Sequence, residues 1–290
     1  MKAGFSFFGV SPRTFAFLAR KAEEVGFESL WMPEHLVFPT ELPATYPYAA
    51  DNRAPIEPGT PLYDPWVTLA FAAALTDKVR LGTSVYILPL RNPFVTARAV
   101  VTLDRLSQGR VILGVGIGWL KEEFEAVGEA FDNRAERTTE IVEILKALWT
   151  QDTIEYHGKH YSFGPVKFSP KPAQKPHPPI EFGGETPAAL RRAGTLGDGW
   201  IGVGGHTPDG IREIVQRIDR AREAAGRLDQ PFDITIGAPQ DPSLDDLKRL
   251  EEAGVTRVYL RPVTHAEKRI ELPELLASME RLGNDIIAKL

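Results

Sequence analysis

The chain contains no cysteine among its 290 residues. This excludes disulfide bonds, thiolate nucleophiles and cysteine-bound metal. The sequence also lacks a strong charge of either sign, because 39 acidic residues nearly balance 34 basic ones, for a net charge of −5. No basic stripe is present, so we expect no nucleic-acid partner.

Long apolar runs are absent too. The longest, residues 66–75 interrupted only by Thr68, is about half the length of a membrane span. The N-terminus lacks the apolar region and the cleavage site of a secretory signal. We therefore expect a cytoplasmic protein with no membrane partner. With 43% hydrophobic residues, the chain can bury a large core.

Hydrophobic periodicity predicts eight strands, each followed by a helical pattern. Eight such units in a chain of this length favour a closed (β/α)8 TIM barrel over an open doubly wound sheet. We expect one domain spanning residues 1–290. The predicted strands are Lys2–Phe8, Phe27–Met32, Val79–Leu88, Arg110–Val115, Pro179–Gly183, Gly199–Val203, Phe232–Gly237 and Arg257–Leu260.

Two insertions interrupt this pattern. The first, residues 33–64, is rich in proline and follows the second strand. The second, residues 153–178, follows the fourth helix, and its sequence predicts a hairpin of Thr153–Tyr156 against His160–Phe163. Long loops in a compact domain are usually functional, and barrel enzymes keep their active sites at the carboxyl ends of the strands. The alternative is that the insertions only cover exposed barrel surface.

A candidate anion site follows the fifth predicted strand. Thr186 can cap the next helix, and Pro187 suits the first position of that helix. The unpaired amides and the dipole at such a helix start favour an anion. Gly183 and Gly184 would allow the backbone to approach a phosphate closely. The alternative is a tight turn that binds nothing.

The segment Gly114–Trp119 superficially matches a dinucleotide fingerprint. Its third glycine comes one residue too early for that motif, and the segment better suits the close approach of a flat ligand. Next along the chain, we interpret Glu122, Glu123 and Glu125 as a solvated helix face. The six histidines show no metal-ligand spacing, so no metal is expected, and no nucleophile elbow is present.

The pair Glu34-His35 directly follows the apolar strand residues 30–32, so it should lie at the barrel mouth. A neighbouring carboxylate favours the protonated form of an imidazole, which makes His35 a candidate proton donor. The alternative is a histidine that anchors the long loop by hydrogen bonds.

Several motifs, in consistent order, resemble the bacterial luciferase-like monooxygenase superfamily. Trp31–His35 is similar to its W-x-x-E/D-H signature. The long proline-rich loop and the segment Pro176–Ile180 are most similar to the coenzyme F-420-dependent (deazaflavin) oxidoreductases. The other matching segments are Leu81–Val85, Leu88–Pro93, Leu103–Arg110, Gly114–Trp119 and Gly197–Trp200.

The resemblance implies a flavin or 5-deazaflavin lying across the carboxyl-terminal mouth of the barrel. Its phosphate would lie at Gly183–Thr186, and its ring against a bulge that holds a non-proline cis peptide between Ser84 and Val85. A homodimer through residues 66–75 and 93–106 is also implied. The implied cofactor-binding residues are His35, Ser84, Val85, Gly116, Ile117, Gly118, Gly183, Gly184, Glu185 and Thr186.

The sequence departs from the resemblance at Trp119. Glucose-6-phosphate dehydrogenases of the superfamily carry an acidic residue at this position, so sugar-phosphate oxidation is not expected. The indole instead indicates an apolar or planar substrate. His35 becomes the candidate catalytic proton donor, with Glu34 to orient it. Trp119 and Phe8 would line the substrate pocket.

Three functions are compatible with these features. The first is hydride transfer between coenzyme F-420 and a small organic substrate. The second is an FMN-dependent monooxygenase that uses reduced flavin and oxygen. A flavin or F-420 reductase system would supply the reduced cofactor. The third is a non-enzymatic flavoprotein or a barrel without its cofactor, against which the intact Gly183-Gly184 turn argues. Basic residues near the phosphate would favour F-420, whose oligoglutamate tail is acidic; the candidates are Lys167, Lys171, Arg191 and Arg192.

Overall fold

The computed structural model describes residues 1–6, 9–239, 241–260 and 272–290. Within these ranges, eight parallel strands close into a barrel in the order β1-β2-β3-β5-β8-β9-β10-β11. Pairing of β11 with β1 and of β3 with β5 completes the ring. The described strands are β1 Lys2–Ser6, β2 Ser29–Met32, β3 Arg80–Thr83, β4 Tyr86–Ile87, β5 Val111–Gly116, β6 Ile154–His157, β7 Ser162–Val166, β8 Ile180–Gly183, β9 Gly199–Ile201, β10 Asp233–Gly237 and β11 Arg257–Leu260.

The predicted (β/α)8 barrel is therefore confirmed, with one change in its third strand. The predicted segment 79–88 contains two short strands, β3 and β4, separated by Ser84 and Val85. The predicted hairpin is also present, as the antiparallel pair β6 and β7.

Helices follow the barrel strands and cover the outside of the barrel. Most begin at a residue whose side chain caps the helix, followed by proline. For example, the Thr186 hydroxyl accepts a hydrogen bond from the backbone amide of Ala189. None of the helices in the described part of the chain is both long and apolar enough to span a bilayer. The helices are α1 Pro12–Glu24, α2 Pro65–Ala73, α3 Pro93–Leu106, α4 Lys121–Ala126, α5 Arg134–Thr150, α6 Pro187–Leu196, α7 Pro208–Ala224, α8 Leu244–Glu252 and α9 Leu272–Asp285.

The interior of the barrel is filled by Trp31 on β2, which packs with Ile112, Ile201 and Tyr259. The two strands that flank β2 leave room for the indole because each has a glycine beside it. A Cβ on Gly4 of β1 would lie 2.7 Å from the indole nitrogen, and one on Gly82 of β3 only 2.4 Å from the ring.

The amino-terminal end of the barrel is closed by an ion network around Arg257, the fully buried first residue of β11. Its guanidinium lies 2.8 Å from Glu181, 3.1 Å from Glu28 and 3.0 Å from Asp233. Burial opposes the positive charge, but the three carboxylates outweigh it and raise the pKa of Arg257. This end of the barrel is therefore cross-linked by side chains.

We expect Gly82→Ala to lower the free energy of unfolding by about 1–3 kcal/mol or more, because a methyl group would overlap the Trp31 ring. Urea unfolding measures this loss. Gly164→Ala, on β7, is the matched control, since no atom beyond its chain neighbours lies within 4 Å of the position that its Cβ would take. Equal effects of the two substitutions would contradict this account of the barrel interior.

Candidate functional site

Four connections lie side by side at the carboxyl-terminal mouth of the barrel. They follow β2, β3, β5 and β8, which are consecutive neighbours in the closed sheet. The structure thus brings together the predicted segments Glu34-His35, Ser84-Val85, Gly116–Trp119 and Gly183–Thr186. Phe8, the predicted floor of the substrate pocket, lies outside the described residues.

The peptide bond between Ser84 and Val85 is cis, as the resemblance implied. The Val85 side chain lies between two glycines of neighbouring strands. A Cβ on Gly116 would lie 2.4 Å from one Val85 methyl, and a Cβ on Gly183 would lie 2.8 Å from the other. The sequence indicated that these bare positions admit a ligand, but in the fold they make room for Val85.

Gly184, in contrast, adopts a backbone conformation that favours glycine, with φ at +109°. Its carbonyl accepts a hydrogen bond from the indole of Trp200 at 2.8 Å. A Cβ on Gly184 would lie 3.5 Å from the hydroxyl of Tyr48, which belongs to the first insertion. Burial and the charge of Glu185 raise the pKa of Tyr48 to about 12, so the phenol remains a hydrogen-bond donor beside this turn.

The side chain of Glu185 forms hydrogen bonds within the protein and is not directed at a ligand. Its carboxylate accepts hydrogen bonds from the Val203 amide at 3.1 Å and, at 2.9 Å, pairs with the imidazole of His206. Burial opposes the negative charge, but these two bonds outweigh it and lower the pKa of Glu185. An anion at the start of α6 would therefore meet the backbone of Glu185 rather than its carboxylate.

His35 pairs with a carboxylate other than the predicted one. Its Nδ1 lies 2.7 Å from Oε2 of Glu123, and Oε1 of Glu123 accepts the Leu36 amide at 2.6 Å. The Glu123 side chain is only 1% exposed. The interpretation of Glu123 as part of a solvated helix face is therefore wrong, because one side of the short helix α4 packs against the start of the first insertion.

Glu34, the predicted partner of His35, instead pairs with Arg91. Arg91 Nη1 donates to Oε1 at 2.7 Å, its Nη2 contacts Oε2, and the Ile87 amide also donates to Oε1 at 2.7 Å. Consecutive residues at a strand end point to opposite sides, which separates Glu34 from His35. Burial raises the pKa of Glu34 to about 7, against the opposing effect of Arg91.

Aromatic rings from the first insertion, together with Trp119 of the connection after β5, form a wall beside His35. The Trp119 ring meets the His35 imidazole edge-on, with ring centroids 5.9 Å apart. The centroid of the Phe38 ring lies 4.6 Å from that of the imidazole. Tyr46 contacts Trp119 at 5.2 Å, and Tyr48 follows at 5.4 Å from Tyr46. The wall therefore extends across the mouth from His35 to the Gly184 turn.

Gly118 shapes the segment that carries Trp119. Its φ is +80°, and a Cβ there would lie 2.7 Å from Phe124 and 2.9 Å from Ile87. Ile117, the residue before it, is half-buried at the mouth. Glycine is thus required at position 118, because the backbone there packs closely against Phe124 of α4.

Sequence reasoning missed Glu123 and Arg91. A signal for Glu123 was its position next to the apolar Phe124, while Lys121 and Glu125 form an exposed pair on another side of the helix. A signal for Arg91 was that it is a single charged residue directly after the apolar run 86–90. Glu34 is likewise a single acidic residue after an apolar strand, and both segments end at the mouth of the barrel. Because a buried charge needs a partner of opposite sign, this rule would have paired Arg91 with Glu34.

Comparison with known proteins places this barrel in a family. The family model for luciferase-like monooxygenases matches residues 6–280. The chain is 32% identical over 282 residues to the F-420-dependent glucose-6-phosphate dehydrogenase of Kineococcus radiotolerans, covering 95% of this chain and 77% of that protein. It is 34% identical over 212 residues to the FMNH(2)-dependent dimethylsulfone monooxygenase of Pseudomonas putida, covering 72% of this chain and 53% of that protein.

A solved structure shows the same fold over the full length. The coenzyme F-420-dependent tetrahydromethanopterin reductase of Methanopyrus kandleri superposes with a TM-score of 0.77 at 20% identity, and the match covers 99% of both chains. The family match extends over nearly the whole sequence, including every segment of the barrel mouth described above. The chain therefore belongs to the luciferase-like monooxygenase family.

Proposed function

We propose that the protein is an oxidoreductase that transfers a hydride between coenzyme F-420 and a small organic substrate. The observation that carries this proposal is the convergence of two features at one barrel mouth. One is a helix start that follows a glycine at positive φ, and the other is an imidazole held by a buried carboxylate. The first suits a phosphate and the second suits proton transfer.

The residues at the mouth fit the phosphate and the flat ring of this cofactor. The first amides of α6 have no partners within the helix, and its dipole favours an anion there. Gly184 carries no Cβ that would block a phosphate, and Tyr48 provides a hydroxyl beside it. Ser84, Val85 and the segment 116–118 would support the ring. When bound, the deazaflavin supplies or accepts the hydride.

Two arginines support F-420 over FMN. Arg191 and Arg192 lie on α6, about one helical turn beyond its first residue, Pro187. Burial and the charge of Arg191 lower the pKa of Arg192, as expected for two adjacent guanidinium groups. The acidic tail of F-420 would pair with both. Lys171 does not contribute, because its ammonium donates to the Leu148 carbonyl at the end of α5.

His35 is the proposed proton donor to a substrate that accepts hydride at carbon. Its Nδ1 faces Glu123, so Nε2 is the ring nitrogen left for a substrate. No carboxylate occupies the position of Trp119, so the site has an aromatic wall where the sugar-phosphate enzymes of the superfamily have an acid. Trp119 and Tyr46 would exclude water and contact an apolar or planar substrate.

The alternative is an FMN-dependent monooxygenase. The similarity to the dimethylsulfone monooxygenase supports it, and FMN also presents a phosphate and a tricyclic ring to the same turn. In either case a separate reductase, acting on flavin or on F-420, would supply the reduced cofactor.

We expect His35→Asn to reduce turnover by about 10²–10⁴-fold while the affinity for F-420 is kept, because the variant loses the proton donor. The oxidation of reduced F-420 by a set of small ketones, aldehydes and unsaturated carbonyl compounds measures turnover. A loss of F-420 affinity with normal turnover at saturation would instead make His35 a binding residue.

We expect Gly184→Val to weaken F-420 binding strongly, because its side chain would occupy the approach to the helix start. The matched control is Gly254→Val, at the opposite end of the barrel. Gly254 has nearly the same φ, +110°, and a Cβ there would lie 3.3 Å from Val215, comparable to the 3.1 Å between a Cβ on Gly184 and Ala189. Both variants should lose stability in thermal unfolding, but only Gly184→Val should lose affinity in fluorescence titration. Equal affinities would refute the anion site.

We also propose a homodimer formed through α2 and α3. These helices pack side by side and expose Val67 (71%), Phe71 (47%), Val95 (63%) and Leu106 (65%) to solvent. Large apolar side chains exposed on two neighbouring helices are typical of an interface. Val67→Asp should therefore shift the protein towards monomer in sedimentation velocity, whereas Leu228→Asp, at an exposed site elsewhere, should not. A wild-type protein that sediments as a monomer would rule out the dimer.

A further inference from the structure

We infer that Glu123 is a positioning residue that fixes the tautomer and the direction of His35. The inference rests on the proposed function, since it assigns the part that Glu123 plays in proton transfer by His35. In this arrangement the neutral imidazole carries its proton on Nδ1, and Nε2 is directed to the substrate side.

The hydrogen bonds of Glu123 determine this tautomer. An ionised carboxylate can only accept, so the 2.7 Å contact between Oε2 and Nδ1 requires a proton on Nδ1. The other oxygen accepts the Leu36 amide at 2.6 Å. Because this second bond does not involve the imidazole, the carboxylate stays in place whether His35 is neutral or protonated. Nε2 makes no hydrogen bond to the residues that the structure describes.

The surrounding packing holds Glu123 rigidly. Its neighbour Phe124 is fully buried in a cluster with Ile87 and Leu90 and meets Phe131 edge-on at 5.3 Å. The same segment begins at Trp119, which contacts the imidazole from another side. One short stretch of chain therefore supplies both the acceptor for Nδ1 and the aromatic wall beside the ring.

The other buried carboxylate at the mouth cannot replace Glu123. Both oxygens of Glu34 are engaged by the guanidinium of Arg91, and one of them also accepts the Ile87 amide. Among the residues that the structure describes, the His35 ring therefore meets the carboxylate of Glu123 and the rings of Phe38 and Trp119.

This geometry is suited to the reduction of a carbonyl group by one hydride and one proton. The carbonyl carbon gains the hydride of the reduced cofactor, the C=O π bond breaks, and the oxygen takes the proton from Nε2 of the imidazolium. The products are an alcohol, the oxidised cofactor and a neutral imidazole protonated on Nδ1. Glu123 accepts the Nδ1 hydrogen bond before and after the transfer, so the ring need not rotate between steps.

The test is the tautomer of His35, measured from nitrogen-15 shifts in histidine-labelled protein without cofactor, with His35→Asn to assign the signal. In wild type, neutral His35 should be protonated on Nδ1. In Glu123→Gln, the single amide oxygen is taken by the Leu36 amide, so the NH2 group faces Nδ1 and the proton should move to Nε2. Glu123→Asp keeps a carboxylate and should restore protonation on Nδ1. Glu125→Gln, on the exposed side of α4, is the matched control and should resemble wild type.

The same variants are then assayed with reduced F-420 and the carbonyl compounds. Glu123→Gln should lower turnover about 10–100-fold with unchanged affinity for F-420, and Glu123→Asp should recover part of it. An unchanged tautomer in folded Glu123→Gln, or a changed tautomer with wild-type turnover, would overturn the inference. Failure of wild type to bind F-420 would instead refute the proposed function, and the tautomer result would still decide what Glu123 does to His35.

Discussion

Closure of the parallel sheet is the constraint on which the site depends. Because β3 pairs with both β2 and β5, and β5 with β8, the four connections that follow these strands must meet at one mouth. The opposite end of the barrel is cross-linked by Arg257 and its carboxylates. The candidate site therefore lies at the carboxyl-terminal end, where barrel enzymes keep their active sites.

Two buried carboxylates fix the start of the first insertion from opposite sides. Glu34 joins it to the segment after β3 through Arg91 and the Ile87 amide. Glu123 joins it to α4 through the Leu36 amide. Since His35 lies between these two attachments, its ring has a defined position although it belongs to a long loop. A buried charge without a partner would be costly, which explains why each carboxylate has one.

The sequence predicted the barrel well because strand and helix periodicities are local signals. Its motif of adjacent residues also placed the glycine turn between β8 and α6, and the family resemblance correctly implied the cis peptide between Ser84 and Val85. Side-chain pairing was harder to predict. Glu34 and His35 are neighbours in the chain but point apart, whereas Glu123 reaches His35 only through the fold. The six-residue helix α4 is too short for periodicity to identify its buried side. The missing Cβ atoms of Gly116 and Gly183 looked like space for a ligand, and only the structure shows Val85 there.

Binding of coenzyme F-420 at this mouth, as proposed above, is tested most directly by a parallel titration of the purified protein with F-420 and FMN. Isothermal titration calorimetry gives the stoichiometry and the dissociation constant for each cofactor under the same conditions. We expect one F-420 per chain, bound at least about tenfold more tightly than FMN, a difference of about 1.4 kcal/mol in binding free energy. Tighter binding of FMN, or no binding of either cofactor, would contradict it.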